Sequence, residues 1–316
     1  MAFDVKIPKT TQFGGTMRYL MFMLIVLSSC QKKPIDEPFE PKPDPKPDVR
    51  PEPKVENVGL ILIGDTGMGN KDQYRVADGM QFYCDANKCD AALMMGDNFY
   101  SDGVKSVNDA QFISKFEKPY KNLNFKFYPS LGNHDARQNK QAQVDYKSDK
   151  WDMPAMYYKK SFGQYVDVFA LDTNDLASHK VYKQGKNQLA WLDKSLAESK
   201  AHWKIVYGHH PIFSYGAHKD SYYLKKFLLP ILQKHEITFY ASGHDHDLQL
   251  IKHSGIYQIV SGAGAKLRST KAGKHTIYAK SKLGFAHLLL TSKKAVLKFV
   301  DKDAKILHES FYEKQN

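Results

Sequence analysis

The sequence predicts a layered α/β fold, two packed β-sheets forming a sandwich with helices on its outer faces, over residues 55–316. Three observations predict it. Short apolar runs of strand length recur along the chain, each ending in a glycine and a polar residue. Amphipathic stretches of helical period lie between them. From Leu248 onward the pattern changes to strands joined by short turns.

The chain has 316 residues, a formal charge of +12, 42% apolar and 25% charged residues. Such a composition can bury a core. Its basic balance favours anionic partners in general, but the lysines are scattered and no recognition motif for nucleic acid appears. The three cysteines are too few for a disulfide-built scaffold, and no Cys-x-x-Cys pair suggests a zinc ribbon.

Taken in order, residues 1–30 read as an export segment. Arg18 precedes the nine-residue apolar run Tyr19–Leu27, well short of the roughly 20 residues a spanning helix needs. Met17 is the expected start. Leu27-Ser28-Ser29-Cys30 resembles a bacterial lipobox, whose cysteine is lipidated. Residues 31–54 form a linker: eight of the fourteen prolines lie between Pro34 and Pro53, among charged residues. An extended linker would hold a folded domain away from a membrane anchor.

From Val55 the composition changes. Val58–Ile63 is a continuous apolar run ending in Gly64-Asp65. Ala91–Met95 ends in Gly96-Asp97, Phe125–Leu131 in Gly132-Asn133-His134, Trp203–Tyr207 in Gly208-His209, and Ile237–Ala241 in Ser242-Gly243-His244. Runs of this kind read as strands buried on both faces. Helices are expected over 72–84, 108–120, 187–198 and 221–234, and strands over 248–252, 257–260, 285–290, 295–300 and 306–311.

In layered α/β folds ligands sit beyond the carboxyl ends of the strands. Here those ends hold oxygen and nitrogen donors and no thiolate: Asp65, Asp97, Asn133, His209, His244 and His246. Hard carboxylate and amide oxygens beside imidazoles suit iron, manganese or zinc. Six donors exceed what one four-coordinate zinc needs, so a two-metal site sharing one carboxylate is the economical account. A lone Gly-Asp or Asn-His is usually a turn. Five such segments in succession are not explained by turns, and none of the thirteen histidines precedes His134.

Gly64-Asp65-Thr66-Gly67, Gly96-Asp97-Asn98-Phe99-Tyr100, Gly132-Asn133-His134-Asp135, Gly208-His209-His210-Pro211 and Gly243-His244-Asp245-His246 resemble the five ordered motifs of the calcineurin-like metallophosphoesterases. More narrowly, the chain resembles the purple acid phosphatases of the tartrate-resistant branch. Gly67 stands where most calcineurin-like enzymes carry a histidine, and Tyr100 matches an iron ligand of the purple enzymes. The resemblance implies that Asp65, Tyr100 and His246 bind a ferric ion. Asn133, His209 and His244 would bind a divalent iron, zinc or manganese, and Asp97 would bridge both. It makes His134 and His218 substrate-contacting histidines that serve the leaving group, and Asp135 and Asp245 orienting neighbours. His210 is second to the ligands or part of the cleft wall. Thr66 replaces the branch's usual tryptophan, and the segment 173–187 departs from the mammalian loop. Cys84 and Cys89 form either a small disulfide or two buried thiols.

The reaction implied is acid phosphatase chemistry: hydrolysis of phosphate monoesters by in-line attack of hydroxide formed at the two cations, with a proton from His134 or His218. Substrates would be phosphorylated small molecules or phosphoproteins. Two other readings use the same residues: a phosphodiesterase or nucleotidase, and a non-catalytic surface binder of metal or phosphate. The chain is expected to be a monomer without specific nucleic-acid binding. It would be exported and held by lipid on Cys30, facing periplasm or cell exterior, or else secreted.

Overall fold

Two mixed β-sheets lie face to face in a computed structural model that describes residues 57–178 and 183–313. The export segment, the linker and part of the 173–187 loop lie outside the described residues. The first sheet contains β1 (Asn57–Ile63), β2 (Ala91–Met95), β3 (Lys126–Ser130), β11 (Gly284–Thr291), β12 (Lys294–Asp301) and β13 (Ile306–Glu313), in the order β13-β12-β11-β1-β2-β3. The second contains β4 (Tyr158–Phe162), β5 (Val166–Ala170), β6 (Trp203–Tyr207), β7 (Phe239–Ser242), β8 (Leu248–His253), β9 (Ile256–Ser261) and β10 (Thr276–Lys280), in the order β10-β8-β9-β7-β6-β5-β4.

Alternation along the strands builds the layers. In β5, β6 and β7 the residues Val168, Ile205 and Phe239 join the core between the sheets, while their successors Phe169, Val206 and Tyr240 join the outer one. Successive side chains of a strand point to opposite faces, so a strand covered on both sides reads as a continuous apolar run. The outer core is closed by α3 (Lys183–Glu198), α4 (Tyr222–Phe227) and α5 (Leu229–Lys234) through Leu192, Leu196, Leu224 and Leu232. On the other side α1 (Lys71–Ala86) buries Val76, Met80 and Tyr83. Asn70 caps α1 by accepting the Gln73 amide at 2.9 Å, a bond worth about 1 kcal/mol. Cys84 at its end is disulfide-bonded to Cys89 just before β2.

Two expected helices differ. Over 108–120 only a π-helical stretch, Ile113–Glu117, forms. Asp109 accepts the amides of Lys105 and Gln111 at 2.9 and 3.0 Å, the second in the manner of a helix N-cap, so the helical turns begin only beyond it. The stretch 221–234 is two short helices, α4 and α5, because Pro230 has no amide to continue the first. Strands β4 and β10 and the short helix α2 (Lys140–Asp145) go beyond the elements expected from sequence. Both strands lie at sheet edges and carry exposed lysines, so they lack the two-face apolar signal.

β1, β2 and β3 run parallel, as do β5, β6 and β7. Their carboxyl ends therefore collect at one rim of the sandwich, where a bond from the Gly64 amide to Ser261 O at 2.8 Å joins the two sheets.

Candidate metal centre

Each strand end turns sharply to aim a side chain at this rim. Asp65, Asp97 and His244 have positive φ of 58°, 52° and 69°. Non-glycine residues rarely adopt that conformation, and it concentrates at functional sites. Gly96 precedes the second turn at φ 76°, where a Cβ would press on the backbone of Gly132 in the next motif.

The donors form two groups. In the first, the Tyr100 hydroxyl donates to Asp65 Oδ1 at 3.0 Å, and His246 Nε2 lies 3.3 Å from both atoms. In the second, His209 Nε2 lies 3.0 Å from Asn133 Oδ1 and 3.1 Å from His244 Nδ1. Asp97 reaches toward the second group, with Oδ1 3.5 Å from His209 Nε2. Ligand atoms of Asp65, Asp97 and His209 all lie within 4.8 Å of one another. The seven residues singled out in the sequence are thus brought to one place.

The donor chemistry fits cations. His209 Nδ1 faces the Met95 carbonyl at 2.8 Å and donates there, which leaves Nε2, beside Asn133 Oδ1, as the nitrogen able to ligate a cation. An imidazole nitrogen and an amide oxygen at this distance suit a cation bound by both. Asp65 and Asp97 are buried, and among the described residues neither pairs with lysine or arginine. Burial, with the nearby Asp97 carboxylate, pushes Asp65 up to about 7 against the favourable field of His209. Burial first, then the two carboxylates, holds the Tyr100 phenol well above its ordinary range. Burial and neighbouring imidazoles hold His210 and His244 below theirs, which keeps them neutral. A bound cation reverses the balance for both acids and phenol.

Surrounding groups orient these donors. Asp135, itself buried, accepts the amides of Gly132 at 2.8 Å and of Asn98 and Phe99 at 3.1 Å, which ties the second motif to the third. His210 is within bonding distance of Thr173 Oγ1 at 2.8 Å and packs against the His244 ring. Thr173 Oγ1 also accepts the His209 amide at 3.2 Å, a contact between residues 36 apart that no local pattern signals. His134 Nδ1 bonds the Ser101 carbonyl, and its Nε2 lies 3.9 Å from Asp97 Oδ2. His218 lies at the rim, its ring stacked on His244 at 3.9 Å and its Nδ1 2.9 Å from Asp245 Oδ1. Burial would raise Asp245, but bonds from His218 and Ser214 outweigh it and keep the carboxyl below its ordinary value. Arg268, which sequence reasoning passed over, touches the His218 ring at 2.7 Å. Only the fold brings it there, across 50 residues of sequence.

A family model for calcineurin-like phosphoesterases matches residues 60–248. The chain is 33% identical to tartrate-resistant acid phosphatase type 5 of Oryctolagus cuniculus, over 69% of this chain and 77% of the relative. It is 31% identical to purple acid phosphatase 7 of Arabidopsis thaliana, over 82% and 87%. Among solved structures, GAP50, described as the anchor in the inner membrane complex of Plasmodium, matches with TM-score 0.75 and 26% identity over 82% of this chain and 90% of its own. The purple acid phosphatase of yellow lupin seeds shares the fold at TM-score 0.64 and 14% identity, over 81% and 54%.

Proposed function

The chain belongs to the calcineurin-like phosphoesterases and, within them, to the purple acid phosphatases; from that premise we propose how its own residues perform phosphomonoester hydrolysis at a two-metal centre. The observation that carries the reading is the pair of donor groups, three residues each, with Asp97 set between them. Asp65, Tyr100 and His246 would hold a ferric ion. Asn133, His209 and His244 would hold iron(II), zinc or manganese, and Asp97 would bridge. When bound, two such cations neutralise phosphoryl oxygens and make hydroxide available below neutral pH.

The protein's part is placement. Asp65 and Asp97 supply buried negative charge at fixed positions, held by amide bonds from His244 at 2.8 Å and His134 at 2.9 Å. Such preorganised groups need no rearrangement as the reaction proceeds. His134 has its Nδ1 engaged as donor by the Ser101 carbonyl, so its Nε2 is the ring nitrogen left to face the centre; as the imidazolium the ring would hand its Nε2 proton to the departing ester oxygen and return to the Nδ1–H neutral form. His218, fixed by Asp245 and stacked on His244, would form a wall of the substrate site.

Phosphorylated compounds are the substrates. We further assign the protein as an exported monomer anchored by lipid on Cys30, with residues 31–54 as spacer. No helix among the described residues is long and apolar enough to cross a membrane. The deciding experiment is metal analysis of the purified chain together with turnover of an aryl phosphate, a bis-aryl phosphate and nucleotide monophosphates at several pH values. Two metals per chain with selective monoester turnover is the expected result. Diester turnover at equal rate, or none with both metals present, would overturn it.

A further inference from the structure

Arg268 is a guanidinium at the rim of the metal centre without an acid partner among the described residues. Its amide donates to the His246 carbonyl at 2.9 Å, and its own carbonyl accepts from Ser281 Oγ at 2.7 Å, so its backbone is fixed against the last metal loop. Its Nη1 lies 2.7 Å from His218 Nε2. The same Nη1 is 3.3 Å from His218 Nδ1, so the guanidinium sits against both ring nitrogens rather than at the end of one lone pair, while Nδ1 also faces the Asp245 carboxylate at 2.9 Å. The arginine is therefore parked on the His218 ring. Arg137, by contrast, is paired with Asp102 at 3.1 Å. Among the described residues no carboxylate pairs with Arg268.

A guanidinium beside a site built for two cations is repelled by what that site holds unless an anion comes between them. Its planar fork matches two oxygens of a phosphate. A cavity of about 670 Å³ opens beside the pair, between the loops 214–220 and 269–272, lined by Lys219, Lys271 and Asp220, the last paired with Lys225 at 3.1 Å.

We propose that Arg268 is a substrate-binding residue that changes partners: its guanidinium leaves the His218 ring for the phosphoryl oxygens of the substrate. The proposal rests on the phosphatase reading, and inorganic phosphate separates the two. Phosphate binding to the metal-loaded protein is measured by calorimetry, and KM and kcat on an aryl phosphate, for wild type, Arg268→Met and Arg268→Lys. Arg268→Met should weaken phosphate binding and raise KM by about tenfold each, with two metals still bound and an unchanged unfolding midpoint. Lysine should recover part of the affinity as a point charge without the fork. Affinity and KM within about twofold of wild type in a metal-loaded methionine variant would overturn the proposal and leave the phosphatase reading standing. If the methionine variant does not fold, Arg268→Lys decides alone: about threefold weaker phosphate binding supports the proposal, and wild-type binding overturns it. A wild type that binds phosphate through Arg268 but turns nothing over would keep the proposal and sink the phosphatase; one that neither binds nor turns over sinks both.

Discussion

Tyr100 and Gly67 are joined by a backbone bond of 2.9 Å, from the Tyr100 amide to the Gly67 carbonyl. This bond draws the loop of the second motif over the first. A Cβ at Gly67 would collide with the Asn98 carbonyl and the Phe99 amide. The place where related enzymes carry a histidine is filled by backbone here, and the Tyr100 hydroxyl reaches Asp65 in its stead.

That exchange predicts colour. A phenolate on ferric iron absorbs in the visible, so the iron-loaded protein should be violet to pink. Tyr100→Phe should be colourless while Asp65, Asp97 and His246 keep some iron. A visible spectrum with iron analysis checks this, and a coloured phenylalanine variant would strike Tyr100 from the ligands.

The same contact makes Gly67 intolerant of any side chain. Gly67→Ala must push rigid backbone aside, at a cost of about 3 kcal/mol. Urea unfolding should show the loss, and a midpoint equal to wild type would contradict the packing described.

Asp97 stands between the donor groups, so its loss should affect both. Asp97→Asn is expected to hold fewer than two metals and to lose more than about 100-fold in turnover, since even groups behind metal ligands cost 10–100-fold. Elemental analysis after gel filtration is the check. Retention of two tightly held metals at near-normal rate would end the shared-carboxylate assignment.

Far from the centre, His287 makes stability depend on acid. Its Nε2 is 2.9 Å from the Lys88 carbonyl and its Nδ1 3.0 Å from the Tyr83 hydroxyl, a fully satisfied neutral ring. Burial, partly offset by the Lys88 carbonyl, lowers it to about 4. The unfolded chain therefore takes the proton first as pH falls. The stabilisation from neutral His287 is complete above about pH 6.5 and is lost progressively down to about pH 4, up to about 3 kcal/mol. His287→Gln, which can keep both bonds, should flatten this part of the profile of unfolding free energy against pH. A profile as steep as wild type would refute the assignment.

Cys30→Ser tests the anchor. If lipid on Cys30 holds the protein to a membrane, the variant should move to the soluble fraction with its activity intact. Unchanged fractionation, or a mature amino terminus elsewhere than residue 30, would refute the lipid anchor.

Much of the centre was legible in the sequence because its donors follow buried strands. A strand covered on both faces must be apolar throughout, so the polar residue that ends it stands out. Asp65, Asp97 and His244 are of that kind, and Asn133 and His209 follow strands broken by a single lysine each, Lys126 and Lys204. The split of 221–234 at Pro230 and the edge strands β4 and β10 were not so legible, for one lacks an amide and the others lack a second apolar face. What the tertiary structure alone decided are the contacts between distant segments. The stacking of His218 on His244, the Thr173 bonds to the histidine loop and the meeting of Arg268 with His218 join residues that share no local pattern. A side chain's type shows what it can bind, but the crossing of two sheets and the course of the loops at their rim determine which partner it meets.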